Sequence, residues 1–307
     1  MEQQPKKRWR FILIAIIIFV LLSFFVSSLL SLFIGVEPVG NVALIPVKGV
    51  IMVDPASTFG TATASSTEII EQIQKADKNP SIKAIVLDIN SPGGSAVASK
   101  EIADAIKKTE KPTVAVIREL GASGGYWVAS ATDRIIANEM SITGSIGVFS
   151  SYIEFAGLLE RYNMTYQRLT AGKYKDMGDP FKPLALNERE ILQKKLNKIH
   201  DIFIESIAEN RNMPRTRVRE ISTGEFYLGI EALELGLIDD TGDKDTAEQW
   251  LKQELNLTKI EFAEYKREKT LIDVLTGVIS PQSFMIGRGI GAELKDTSTV
   301  RKIEIIT

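Results

Sequence analysis

Short apolar runs alternate with segments of helical periodicity along the middle of the chain. The runs at 84–89, 113–117 and 134–137 are bounded by polar or turn residues, which is typical of strands buried on both faces. Between them, apolar residues recur at helical spacing near 95–108 and 125–131. Strands that alternate with helices favour βαβ connections. The pattern therefore predicts an α/β fold with a largely parallel sheet.

Further elements are predicted on both sides of this region. The runs at 42–47 and 50–53 predict a hairpin-like start, and Ser65 with Glu68 forms a capping-box pattern that begins a helix. The other predicted elements are a strand-like run at 165–169, helices at 187–210 and 214–221, a strand at 260–265 and a short apolar helix near 271–279.

The N-terminal segment predicts the cellular location and the membrane topology of the protein. Residues 11–36 contain no charged side chain, and a helix of that length crosses a hydrocarbon core of about 30 Å. Four basic residues precede this segment: Lys6, Lys7, Arg8 and Arg10. Because the next basic residue is Lys48, the positive-inside rule places the N-terminus in the cytoplasm. A cleaved signal peptide is the alternative, but the run exceeds the usual length of about 7–15 residues and lacks an A-x-A site.

Charge and composition exclude several classes of function. The chain has 37 basic and 39 acidic residues, of which residues 1–10 hold four and one, so the remainder is acidic. An acidic domain outside the membrane is a poor nucleic-acid binder. There is no cysteine and a single histidine, and no group of carboxylates stands at metal-ligand spacing. The sequence therefore predicts neither a metal nor a cofactor.

Ser123 is the strongest candidate for a catalytic nucleophile. It stands between small residues in Gly121–Gly125, directly after an apolar run, so it is predicted on a tight turn whose amides point where an oxyanion would form. The G-x-S-x-G pattern of α/β-hydrolases also needs an acid and a histidine later in the chain. The only histidine, His200, borders the apolar stripe of a predicted helix, which indicates a structural role.

A lysine is the remaining type of base. Lys173 and Lys175 lie in a glycine-containing segment after the run at 165–169. A free lysine has a pKa of about 10.4. A lysine base therefore needs a water-poor site that lowers its pKa by roughly two to three units. From spacing alone, either lysine could be this base, and both could equally be solvated loop charges.

Four motifs in order carry a family resemblance. They are Asn90-Ser91-Pro92-Gly93-Gly94, Ala122-Ser123-Gly124-Gly125-Tyr126, Thr143-Gly144-Ser145-Ile146-Gly147-Val148 and Gly172-Lys173-Tyr174-Lys175-Asp176. Together they resemble the signal peptide peptidase A family over approximately residues 41–255. The resemblance implies a serine–lysine dyad peptidase whose fold is similar to the Clp protease proteolytic subunit and the crotonases.

The resemblance also implies a role for each matching residue. Ser123 corresponds to the nucleophile and Lys175 to the general base. Ser145 corresponds to a serine that hydrogen-bonds the lysine. Gly94 and Gly124 correspond to the glycines whose amides form the oxyanion hole.

Two further expectations follow from the resemblance. Lys175 is preferred to Lys173 because the family lysine follows an aromatic or histidine position, which Tyr174 occupies here. The family forms rings in which serine and lysine come from neighbouring subunits, so we expect a homo-oligomer with shared active sites.

The sequence thus predicts a cytoplasmic segment at 1–10, a transmembrane anchor at 11–36, a peptidase domain at 41–255 and a C-terminal extension at 256–307 whose role it does not give. The predicted function is that of a membrane-anchored serine endopeptidase. It would degrade hydrophobic peptides, among them cleaved signal peptides, outside the cytoplasmic membrane. The alternatives are a stomatin-associated type of membrane peptidase, a crotonase-like acyl-CoA enzyme and a non-catalytic membrane scaffold.

Overall fold

The computed structural model describes residues 6–31, 38–54 and 63–265. The helices are α1 (Lys6–Ser31), α2 (Ser66–Lys78), α3 (Ala96–Ile106), α4 (Gly124–Ser130), α5 (Ala156–Arg161), α6 (Leu186–Asn210), α7 (Arg215–Ile221), α8 (Gly229–Glu234) and α9 (Lys244–Glu254). The strands are β1 (Val42–Lys48), β2 (Val50–Met52), β3 (Thr63–Ser65), β4 (Ala84–Ser91), β5 (Thr113–Ala122), β6 (Arg134–Ala137), β7 (Ile142–Gly144), β8 (Phe226–Leu228), β9 (Asp240–Thr241) and β10 (Phe262–Glu264).

The chain divides into two compact units. One unit contains α1, and the other runs from Pro38 to Lys266. Within the described parts of the chain, no helix combines the length and the apolar character that a membrane span requires. The anchor predicted at 11–36 therefore stays a prediction.

An eight-stranded sheet forms the centre of the larger unit. Six of its strands follow the order β10-β1-β4-β5-β6-β9, and all of these neighbours are parallel. β7 continues the sheet beside the end of β5 in parallel, and β8 is antiparallel to β7. The prediction of an α/β fold with a largely parallel sheet is confirmed.

Both faces of the sheet are covered by helices. Along β4, Leu87 and Ile89 pack into the larger core, which α2, α3, α4 and α6 complete. Val86 points to the opposite face, where Leu251 of α9 belongs to the smaller core. Because successive side chains of a strand alternate between faces, burial on both sides requires a continuous apolar run. This burial explains the runs in the sequence.

Two predicted elements were wrong. β1 and β2 do not form a hairpin, because β1 pairs in parallel with β4 and β10 while β2 pairs in parallel with β3 in a separate sheet. Gly49 redirects the chain between them with φ +85°, and its amide donates to the carbonyl of Asn90. The run at 165–169 is not a strand, since its side chains are exposed and no neighbouring strand accepts it.

Other local predictions are confirmed. The hydroxyl of Ser65 accepts from the amide of Glu68 at the start of α2, and Ser95 caps α3 in the same way. The helix predicted at 187–210 is α6, and the strand predicted at 260–265 contains β10. The helix predicted near 271–279 lies outside the described residues.

Residues 149–185, here called the arm, differ from the rest of the larger unit. The arm contains only the short helix α5, and none of its residues is fully buried. Many of its apolar side chains are exposed, with Phe149 at 87% and Leu169 at 100%. The arm therefore has no fully buried core, and its ring contacts join the partly exposed side chains of Phe155, Tyr166 and Phe181.

Candidate active site

Ser123 lies on a strained turn between β5 and α4. Its backbone has φ 51° and ψ −120°, a region that L-residues rarely adopt. The amide of Ser123 donates to the carbonyl of Gly144 at 2.8 Å, and its carbonyl accepts from the amide of Trp127 at 2.9 Å. Every residue of α4 is buried, so the turn stands on a rigid support. The half-buried serine is thereby held at the edge of the sheet.

A second turn, at Gly93 and Gly94, contacts the turn of Ser123. A Cβ atom added to Gly93, where φ is +94°, would lie only 2.5 Å from the amide nitrogen of Gly124. A Cβ atom on Gly94 would lie 2.1 Å from the carbonyl oxygen of Ile51. Both positions therefore require glycine, and the structure brings the predicted oxyanion glycines to the same place as the candidate nucleophile.

Two buried serines support these turns, and the sequence reasoning did not assign them to the site. The hydroxyl of Ser91 donates to the carbonyl of Gly49 at 2.6 Å and accepts from the amide of Gly93 at 3.1 Å. The hydroxyl of Ser99 donates to the carbonyl of Ser95 and packs so closely on Gly124 that no Cβ would fit there. Ser91 lies within a motif and could have been found, whereas Ser99 carries no distinct sequence signal.

Ser145 lies beside Ser123 because of the strand register. Ala122 of β5 is opposite Gly144 of β7 in a parallel pair, so the two serines follow paired residues. Ser145 also has a positive φ of 50°, and its amide donates to the carbonyl of Glu225 at 2.9 Å. Its hydroxyl donates to the carbonyl of Gly224 at 3.3 Å. Since a hydroxyl oxygen keeps lone pairs when it donates, Ser145 is free to accept a bond from a cation.

Lys175 is placed differently from the other predicted residues. It is exposed on a turn of the arm, where its amide donates to the carbonyl of Gly172 at 3.2 Å. None of the hydrogen bonds among the described residues joins Lys175 to Ser123 or Ser145. The structure of one chain thus assembles the serine and glycine part of the predicted site and leaves the lysine at the surface.

His200 contacts the loop that follows Ser145. It is half-buried on α6, and its Nε2 atom lies 3.2 Å from the carbonyl oxygen of Ile146. This contact supports the loop, in keeping with the structural role predicted for the histidine. Among the described residues, no group of three or more His, Cys, Asp or Glu side chains is arranged to hold a metal ion.

Hydrogen bonds order several charged groups of the arm. The ammonium group of Lys182 lies 2.7 Å from a carboxylate oxygen of Glu188, and this hydrogen bond lowers the pKa of Glu188 and raises that of Lys182. The hydroxyl of Tyr166 donates to Asp179 and lowers the pKa of that carboxyl group. Both carboxylates therefore remain ionised at neutral pH.

Comparison with known proteins places these features in a family. The family model for Peptidase family S49 matches residues 105–258, and that for Clp protease matches residues 56–140. A candidate protease of Methanocaldococcus jannaschii is 33% identical over 241 residues, which cover 78% of this chain and 77% of that protein. A candidate signal peptide peptidase SppA of Enterococcus faecium is 33% identical over 234 residues, which cover 75% of this chain and 68% of that protein.

A solved structure is also similar to this chain. It is a mutant of a membrane-bound stomatin-specific protease, with 16% identity and a TM-score of 0.48, and the match covers 74% of this chain and 98% of that one.

The contact between the two glycine turns generates a prediction. We expect Gly93→Ala to lower peptidase kcat/KM by about 10²–10³-fold, the effect of losing one oxyanion donor, because the new Cβ would push against the amide of Gly124. Gly236→Ala is the matched control, since Gly236 also has a positive φ but has nothing within 4 Å of the added atom. The control is expected to lose about 1 kcal/mol of stability and keep its activity. Peptide cleavage and thermal unfolding of both variants check this, and full activity in Gly93→Ala would contradict it.

Proposed function

Because the chain belongs to peptidase family S49, we propose that it is a membrane-anchored serine endopeptidase with a Ser–Lys dyad. Its substrates would be hydrophobic peptides, among them signal peptides after their release from exported proteins. The observation that carries the proposal is the strained turn of Ser123, pressed against the Gly93–Gly94 turn at the carboxyl ends of parallel strands. This is the place where α/β folds position their ligand sites.

In the proposed chemistry, Ser123 attacks the peptide carbonyl carbon while the neutral amine of Lys175 takes the hydroxyl proton. The oxyanion that forms accepts hydrogen bonds from the amides of Gly94 and Gly124. Lys175 then gives this proton to the leaving amine as the C–N bond breaks. A water molecule then hydrolyses the acyl ester by the same route. The hydroxyl oxygen of Ser145 orients the lysine by accepting a hydrogen bond from it through a free lone pair.

The proposed enzyme is a homo-oligomer whose sites combine two chains. A solvated lysine is protonated near neutral pH, so a lysine base needs burial in a water-poor environment. Lys175 is exposed in one chain, and it lies on an arm whose apolar side chains are exposed as well. The surface of a neighbouring subunit would cover both. An apolar surface of this kind is typical of a protein contact.

The proposed location is the outer face of the cytoplasmic membrane. Residues 11–36 carry no charge and follow a basic N-terminus, which supports a single anchor with the peptidase domain outside. In α1, large apolar side chains such as Phe19 and Phe24 are exposed, which suits an apolar surrounding.

The dyad is tested by three single substitutions. Ser123→Ala and Lys175→Ala are each expected to lower kcat for peptide cleavage by at least about 10³-fold, since one removes the nucleophile and the other the base. His200→Ala is expected to stay within a few fold of the parent, because its contact is with a loop carbonyl. A folded His200→Ala protein that has lost its activity would rule out the assignment.

Shared active sites are tested by mixing the two inactive variants. If serine and lysine come from different subunits, exchange between Ser123→Ala and Lys175→Ala protein forms some sites in which both residues are intact. We expect part of the parent activity to return. If subunits of the two variants exchange, as measured by fluorescence transfer, and no activity returns, each site lies within one chain.

The membrane topology is tested by cysteine labelling, since the chain has no cysteine of its own. Asn41→Cys is expected to react with a membrane-impermeant maleimide in intact cells, and Gln3→Cys only after the cells are opened. The reverse pattern would place the peptidase domain in the cytoplasm.

A further inference from the structure

Four charged side chains form a cluster where the arm meets the start of α6. We call Arg168, Asp176, Lys182 and Glu188 the arm cluster. The ammonium group of Lys182 lies 2.7 Å from Glu188 and 3.6 Å from Asp176, and Arg168 donates to the other oxygen of Asp176 at 3.0 Å. Only 9% of the Asp176 side chain and 7% of the Glu188 side chain are exposed. Such burial of carboxylates stands out in a segment whose other side chains are largely exposed.

Stability alone is a poor explanation for this cluster. Removing ions from water is unfavourable, and a buried pair often contributes no more than apolar residues of the same size. Buried ion pairs do fix geometry, because each charge has to meet its partner in one arrangement. In an arm without a fully buried residue, the cluster adds fixed contacts to the ring contacts that Phe181 makes with Phe155 and Tyr166.

One end of the cluster is attached to the turn of Lys175. Asp176 directly follows the proposed base, and its carbonyl accepts from the amide of Asp179 at 3.1 Å. On the preceding side, the amide of Lys175 donates to the carbonyl of Gly172 and closes the turn. Holding the carboxylate of Asp176 therefore holds the backbone from which Lys175 projects.

The other end of the cluster is attached to a rigid helix. Glu188 lies in the first turn of α6, where its carboxylate also accepts from the amide of Ala185 at 3.3 Å. Fifteen residues further along α6, or about 22 Å, Phe203 stacks on Trp127 of α4 with ring centroids 4.3 Å apart. Since α4 begins directly after Ser123, a continuous set of contacts joins the candidate nucleophile to the arm cluster.

We propose that Asp176, Lys182 and Glu188 are positioning residues that set the direction in which Lys175 is presented to its serine. The inference rests on the proposed role of Lys175 as the base. It adds that the base is placed by a charged cluster of its own arm, anchored on α6.

The test compares Lys182→Met with Lys182→Arg in the full-length protein. Lys182→Met keeps the length of the side chain and removes its charge, so Asp176 and Glu188 lose the cation that joins them. A displacement of about 1 Å at a reacting group costs about 10²-fold in rate, so we expect kcat to fall by about 10- to 100-fold. KM should change less than threefold, and Lys182→Arg should restore most of the lost kcat. A general loss of packing would not produce this split or this rescue.

Two further variants make the test decisive. Lys252→Met on α9 breaks an ion pair of the same 2.7 Å length with Glu248 and is expected to keep the parent kcat. Glu188→Gln keeps the size of the side chain and removes its charge. It should lower kcat, as Lys182→Met does.

Each outcome decides one of the two proposals. If Lys175→Ala is inactive while Lys182→Met and Glu188→Gln keep the parent kcat, the positioning role is wrong and the dyad stands. If Lys182→Met loses its cooperative thermal unfolding, the cluster supports the fold instead, and the positioning role is also wrong. If Lys175→Ala remains active, the proposed function itself fails, whatever the cluster variants do.

Discussion

The candidate site depends on one close contact between two backbone turns. Gly93 and Gly124 meet where no Cβ atom fits on either residue, and Ser99 closes Gly124 from the other side. The parallel sheet makes this contact possible, since β4, β5 and β7 end at the same edge. The carboxyl ends of these strands deliver the glycine turn, the strained serine and Ser145 to one place. A different strand order, or a larger residue at either glycine, would separate the glycine turn, the strained serine and Ser145.

Among the described residues, no hydrogen bond brings Lys175 to this edge. The strands that carry Ser123 and Ser145 are surrounded by the main core, whereas Lys175 lies on an arm with no fully buried residue. The proposed amine base needs both proximity and exclusion of water, whereas Lys175 is exposed and makes no hydrogen bond to Ser123 among the described residues. A second subunit is the simplest source of both, because the arm already exposes the apolar side chains that such a contact would bury.

The sequence predicted those parts of the fold that local physics determines. Buried strands require continuous apolar runs, and helix starts require capping side chains, so β4, β6 and α3 were found close to their observed bounds and α2 at its observed start. The proximity of Ser123 and Gly94 followed from two glycine turns at strand ends, whereas that of Ser145 was implied only by the family resemblance. The wrong hairpin at β1 and β2 shows the limit, because the choice of partner for a strand depends on residues far away in the chain. The arm cluster was missed for the same reason, since charges at 168, 176, 182 and 188 have no local pattern.

In the proposed oligomer, the arm would be a segment that is ordered before its partner is present. A surface that must bury apolar groups against another subunit cannot also bury them in its own core. Besides the ring contacts of Phe181 with Phe155 and Tyr166, polar contacts then fix its shape, and charged groups provide the most directional ones. Lys182 and Glu188 meet this need at the point where the arm joins α6, and Tyr166 and Asp179 provide a second bond nearby. A segment fixed in this way enters an interface without first losing conformational freedom, which lowers the entropic cost of association.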